Sequence, residues 1–159
     1  MRRREFIKLF VGAVVAWPRT VWAQQFYQRF IPFLIELPGW TGLPPTGTER
    51  ETKDGPVVTA SRFYQRGDAR FNIWIMSGNA AALATGSHAY INIRWAHDST
   101  STINGFEVRT LSTPIAVLVD IALGPNGTFG LIFNGISEDE AMTIAQKFDW
   151  KGVRELIAH

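Results

Sequence analysis

The sequence predicts an α+β domain: an antiparallel sheet of about five or six strands with C-terminal helices packed on one face. Three observations carry this. Short runs alternate in polarity, as where Ala69, Phe71, Ile73 and Ile75 interleave with Arg70, Asn72, Trp74 and Met76, the period-two pattern of strands with one buried face. Turn-forming clusters separate the runs, among them Arg66-Gly67-Asp68 and Gly124-Pro125-Asn126-Gly127, whose glycines and Asn favour tight hairpins. The clearest helical signature lies at the C-terminus, where Ser137 followed by Glu140 forms a capping box and Ala141, Ile144, Ala145 and Phe148 fall on one helical face.

Taken in order, the chain opens MRRREFIKLFVGAVVAWPRTVWAQQ. Arg2, Arg3 and Arg4 precede an apolar run from Leu9 to Trp17, and Val21-Trp22-Ala23 places small residues where a signal peptidase reads them. This order predicts a cleavable export signal over residues 1–23, cut after Ala23. The apolar run is roughly half of the ~20 residues a membrane span needs, so no permanent membrane anchor is expected. The stretch Arg3, Arg4, Glu5, Phe6, Ile7, Lys8 resembles the twin-arginine export signal of small exported bacterial proteins, with Arg3, Arg4, Phe6, Ile7 and Lys8 at the motif positions. That resemblance implies the twin-arginine export machinery and signal peptidase as partners, transport in the folded state, and a periplasmic location. An ordinary secretory signal with a rich basic start is the alternative.

Residues 24–56 read as an N-terminal segment and a mobile loop, and residues 57–159 as the single α+β domain. Gln24 to Leu37 is strongly apolar, with Pro32 breaking any long helix, so a short helical turn and an extended stretch packed on the sheet are expected. Thr41 to Pro56 shifts to Pro, Gly, Thr and charge, the composition of a solvated loop. Val57–Gln65 and Ala69–Met76 form a predicted hairpin. The RGD tripeptide at its turn resembles an integrin ligand, but tight-turn chemistry explains it. Ser77 to Ser87 is small and flexible, with a short helix expected at Asn79–Ala84. Strands are predicted at His88–Ala96 and Ile103–Leu111, with a turn-rich HDSTST between them. Ile115–Leu123 is the most apolar run and is expected to be central, and Thr128–Asn134 returns beside it. A second short helix should follow Asp149, with Trp150, Val153, Leu156 and Ile157 inward. The arrangement loosely resembles the sheet-and-helix domains of the PsbP/Mog1 type, which implies a fold and no catalytic motif.

The charge balance removes some function classes. The chain has 16 basic and 14 acidic residues, and the leader's five basic residues and single acid leave 11 basic and 13 acidic in the mature part. The basic pI of 9.2 thus belongs to the leader. Nucleic-acid binding, which needs clustered Lys and Arg, is not expected. The chain contains no cysteine, which excludes thiol nucleophiles, thiolate metal sites and disulfides.

His88, His97 and Asp98 are the compact set that resembles metal ligands, but their spacing matches no HxH or HExxH pattern. Ser87-His88 and His97-Asp98-Ser99 bring triad residue types together without a nucleophile elbow. Glu138, Asp139 and Glu140 complement a helix N-terminus. Asp120 stands alone in an apolar strand and is the best single candidate for a perturbed acid. Gly124 to Gly130 lacks a phosphate-loop pattern, and the sequon at Asn126 coincides with a turn. Tyr64, Trp74, Tyr90 and Trp95 are expected to share a sheet face as an aromatic platform for a sugar, an apolar ligand or a partner protein. The expected function is an exported periplasmic binding or interaction module without evident catalysis or cofactor, acting on a periplasmic protein or small ligand. The alternative is a small metal-assisted hydrolase using His97, Asp98 and His88.

Overall fold

Residue parity divides the molecule. In the computed structural model, which describes residues 26–79, Leu83 and residues 96–159, eight antiparallel strands form one sheet. They are β1 (Thr41–Gly42), β2 (Thr46–Thr52), β3 (Gly55–Arg66), β4 (Ala69–Gly78), β5 (His97–Ile103), β6 (Phe106–Ser112), β7 (Ala116–Ala122) and β8 (Gly127–Asn134). The order across the sheet is β1-β3-β4-β8-β7-β6-β5, with β2 pairing β3 beside β1. Two helices close the chain, α1 (Glu138–Ala145) and α2 (Trp150–Ala158). The fold is α+β, as expected, but the strands outnumber the five or six the sequence suggested.

The excess comes from polar segments. Thr46–Thr52, read as part of a solvated loop, pairs with β3 over its whole length from Thr46↔Ser61 to Thr52↔Gly55. His97–Ile103, read as turn-rich, pairs with β6 from His97↔Ser112 to Ile103↔Phe106. The turn lies at Asn104-Gly105, where both residues have positive φ (53° and 81°), the type I′ geometry that Asn-Gly favours between two strands. The hairpin of β3 and β4 forms as expected, with Arg66↔Ala69 closing it. The strand expected at His88–Ala96 falls almost wholly outside the described residues. Of the helix expected at Asn79–Ala84, the bond from the Leu83 N–H to the Asn79 carbonyl (3.0 Å) is described.

Side chains of one parity make the core. Tyr64, Phe71, Phe133 and Val117 lie in one cross-strand row, and Ala60, Ile75, Phe129, Ile121 and Val108 in another, and all are buried. Rings pack within this layer: Tyr64 stacks on Phe71 at 4.4 Å, and Trp40 meets Phe71 edge-on at 4.9 Å. The two helices cover one end of this face. Ser137 caps α1 by accepting from the Glu140 N–H, and Asp149 caps α2 by accepting from the Gly152 N–H, satisfying donors that a helix start leaves open. Ala141, Ile144, Ala145, Phe148, Trp150 and Val153 are buried against the sheet, the positions that the helical spacing pointed to.

The N-terminal segment covers the rest of this face. Phe30, Leu34 and Leu37 are buried in the same core, around a 3-10 turn at Ile31–Phe33. Arg62, a buried cation in β3, holds the segment down. Its guanidinium donates to the carbonyl oxygens of Leu34 (2.7 Å) and Leu43 (2.9 Å) and to the carboxylate of Glu36. Beside it the Tyr64 hydroxyl donates to the Ile35 carbonyl at 2.7 Å, and burial pushes that phenol up to about 12. Arg66 then bridges the layers: its guanidinium lies 4.4 Å over the Trp40 ring and reaches Glu140 of α1 at 2.5 Å.

The two ends of the Arg62–Glu36 pair are not equivalent. The Arg62 side chain is 9 % exposed and that of Glu36 75 %. Truncating Arg62 strands the buried Leu34 carbonyl and frees the part-buried Leu43 carbonyl, whereas truncating Glu36 removes a group already in solvent. Arg62→Ala is therefore expected to lower unfolding stability by about 3 kcal/mol, and Glu36→Ala by less than about 1 kcal/mol. Urea titrations of both variants followed by circular dichroism check the contrast.

Candidate functional site

The other parity forms the second face of the sheet. One row runs across its whole width through the register partners Thr46, Ser61, Trp74, Gly130, Asp120, Arg109 and Thr100. Trp74 and Gly130 face each other in this row. The indole lies flat against the Gly130 backbone, where any β-carbon would overlap its ring atoms. The glycine thus sets how deep the indole sinks into the face.

On the β2–β4 side of Trp74 the face is concave. A groove of about 290 Å³ is lined by Thr48 and Arg50 of β2, Val57, Thr59 and Ser61 of β3, and Asn72, Trp74 and Met76 of β4. Its floor is half-buried and its β2 rim is exposed. The Ser61 hydroxyl is held 3.2 Å from that of Thr46. Leu83 packs with Val57 and Met76 at the apolar end. The groove therefore combines an apolar end, one indole wall, and hydroxyl, amide and guanidinium groups on adjacent strands, the mixture that small-molecule sites present.

The second face also holds the two carboxylates that stood out in sequence. Asp98 on the outermost strand accepts two hydrogen bonds from Arg109, from Nε at 3.0 Å and from a terminal nitrogen at 2.6 Å, and these bonds hold its carboxyl below the usual range. Asp120 is shielded between β6 and β8. Burial pushes its carboxyl up, opposed by the hydrogen bond from the Thr128 hydroxyl (2.5 Å) and by the charge of Arg109.

Of the aromatic platform expected from sequence, Trp74 lies in the groove. Tyr64 lies on the opposite face, fully buried and stacked on Phe71, because Trp74 pairs with Ser61 and Tyr64 sits three residues further along β3. Tyr90 and Trp95 lie outside the described residues. So do the leader residues Arg3, Arg4, Phe6, Ile7, Lys8 and Ala23, and His88. His97 and Asp98 are neighbours on one strand and point to opposite faces, and Asp98 is taken up by Arg109. Among the described residues no group of three His, Cys, Asp or Glu side chains could hold a metal ion, and no helix is long and apolar enough to cross a membrane. A smaller cavity of about 150 Å³ lies between Asn104, Phe106, Gln146 and Trp150 near the start of α2. The Trp150 Nε1 is buried without a hydrogen-bond partner, and its ring meets Phe106 edge-on at 5.8 Å.

Sequence reasoning missed Thr48, Arg50, Thr59 and Ser61 as groove residues. The first two lie in a segment that reads as loop, and all four are side chains common on any wet strand. The available signal was the alternation of Thr46, Thr48, Arg50 and Thr52, which carries no apolar partner residues to mark it. No family model, no curated protein and no solved structure matches the chain.

Asp120 makes the stability of the fold pH-dependent with a defined sign. Its folded carboxyl binds a proton more tightly than the ordinary value of 3.8. Its contribution is fully present below that value and is lost as pH rises through the folded value. Asp120→Asn keeps an acceptor for the Thr128 hydroxyl and cannot ionise. The variant escapes the wild-type decline: its stability relative to wild type should rise as pH climbs above 3.8 and level off once the folded wild-type carboxyl has ionised. Urea midpoints at several pH values read this directly, and a parallel pair of curves would refute it.

Proposed function

We propose that the protein is an exported periplasmic binding module, without catalysis of its own, that takes its ligand in the groove between β2, β3 and β4. The groove carries this reading: it gathers hydroxyl, amide and guanidinium donors around one indole, on rigid sheet strands. Groups fixed on a sheet are well suited to recognition, since little ordering remains to be done on binding. The residues that would support a metal-assisted hydrolase do not favour it, because Asp98 is held by Arg109 and His97 points to the opposite face.

The leader supports the export half of the proposal. Its arginine pair, the apolar run and the small residues at Val21 and Ala23 follow the layout that export machinery and signal peptidase read. A chain without cysteine has no need of disulfide formation after transport, and a domain that folds before transport is compatible with twin-arginine export. The mature chain is near neutral, which suits a small ligand or a partner protein better than a polyanion.

Fractionation of an expressing bacterium tests the export reading. A fragment beginning at Gln24 is expected in the periplasmic fraction, and Arg3→Lys combined with Arg4→Lys is expected to leave uncut chain in the cytoplasm. An uncut wild-type chain in the cytoplasm would sink the proposal. Loss of export in a strain lacking the general secretory route, with the double variant unaffected, would reassign the route.

A further inference from the structure

We infer that the groove ligand is a short saccharide, with the apolar face of a pyranose ring set against Trp74. The inference deepens the binding reading above and rests on it. Sugars present two chemistries at once: a C–H face that is apolar and a rim of hydroxyls that both donate and accept. The groove answers both. Trp74 supplies a flat aromatic wall, seated on Gly130 so that its position is fixed from beneath.

The polar groups fall where ring hydroxyls would be. Ser61 is the direct register partner of Trp74. Thr59 lies two residues along the same strand face and pairs with Thr48, and Asn72 lies two residues before Trp74 on β4. Hydroxyls and an amide both donate and accept, as sugar hydroxyls do, so each can orient to match. Arg50 stands at the exposed rim and donates to an oxygen at one end.

Other ligand classes fit less well. A nucleic acid or a polyphosphate needs several cations, and among the described residues Arg50 is the one charged group lining the groove. A purely apolar ligand would leave the hydroxyls of Thr48, Thr59 and Ser61 without the hydrogen bonds that water gives them, at a cost for each. An extended peptide adds to a sheet through an open strand edge and would lie beside β2, whose outer edge has no partner among the described strands, whereas the groove floor is the face of the paired strands β3 and β4.

The test titrates the chain as recovered from the expressing bacterium with cellohexaose, chitohexaose and hexagalacturonate. Binding is followed by tryptophan fluorescence and by amide shifts in nuclear magnetic resonance. At least one oligosaccharide is expected to shift amides of β2, β3 and β4. Affinity should fall at least about tenfold in Trp74→Ala and about threefold or more in Arg50→Ala. Arg50 is exposed, so its variant keeps the test open if Trp74→Ala fails to fold. No binding by any of the three, or binding that both variants leave unchanged, overturns the saccharide inference. If a co-purifying ligand of another class is lost in Arg50→Ala, the saccharide is wrong and the groove reading survives. If no ligand of any class responds to either variant, both fall.

Discussion

A buried guanidinium decides how the N-terminal segment is held on the sheet. Arg62 sits in β3 with its side chain almost wholly out of water, and it donates to Leu34 and Leu43, on either side of the chain's turn into β1. A buried cation is costly unless its donors are matched. Here the matching groups belong to a segment with little regular structure of its own. The cost of burying the charge and the cost of ordering that segment offset each other, so each feature depends on the other. Tyr64 repeats the arrangement one step along the strand by donating to Ile35. With the segment held, Phe30, Leu34 and Leu37 enter the core, and Trp40 reaches Phe71 and Arg66.

Because the segment and both helices occupy one face, the other face is left to different rules. Parity alone sends Arg62, Tyr64, Ile73 and Leu131 to the first face and Ser61, Trp74, Gly130 and Asp120 to the second. A large side chain at position 130 would lift the indole off the sheet. Glycine there lets a tryptophan lie flat on an otherwise polar surface, which turns a cross-strand pair into one wall of a groove. The same row continues to Asp120 and Arg109, so the second face carries charge on its β5–β7 side and hydroxyls on its β2–β3 side.

How much of this could be read from the residues depends on contrast. The hairpin of β3 and β4, the strands β7 and β8 and both helices were legible because apolar residues recur there at two- or three-to-four-residue spacing against polar ones. Strands β2 and β5 lack that contrast. Thr46–Thr52 and His97–Ile103 hold few apolar residues, since they are outer strands whose pairing rests on backbone hydrogen bonds with β3 and β6 rather than on burial. Tyr64 shows a second limit. The run from Val57 to Tyr64 carries apolar residues at both parities, Val57 and Phe63 on one and Val58, Ala60 and Tyr64 on the other. Which parity faces the core is fixed by Arg62 meeting the N-terminal segment, a contact 26 to 28 residues apart in sequence. The groove was half legible: Trp74 stood out as an aromatic on a polar face, while its hydroxyl partners come from a strand that composition alone disguises as loop.

The position of the groove follows from the same constraint. Recognition needs polar groups that are fixed yet still wet, and the first face cannot offer them, because helices and the N-terminal segment exclude water from it. The second face can, provided something gives it concavity. Strand β2 does so. It pairs with β3 outside the main order of strands, and its side chains at Thr48 and Arg50 rise as a rim beside the β3 and β4 floor. The β2–β3 hairpin is long, with seven register pairs, so the rim is braced by backbone bonds over its full length. The buried arginine that anchors the N-terminal segment acts on the same strand, β3, from the opposite face. One strand thus carries the core clamp on one side and the floor of the groove on the other, so its stability and its capacity to present a binding surface rest on a single set of backbone bonds.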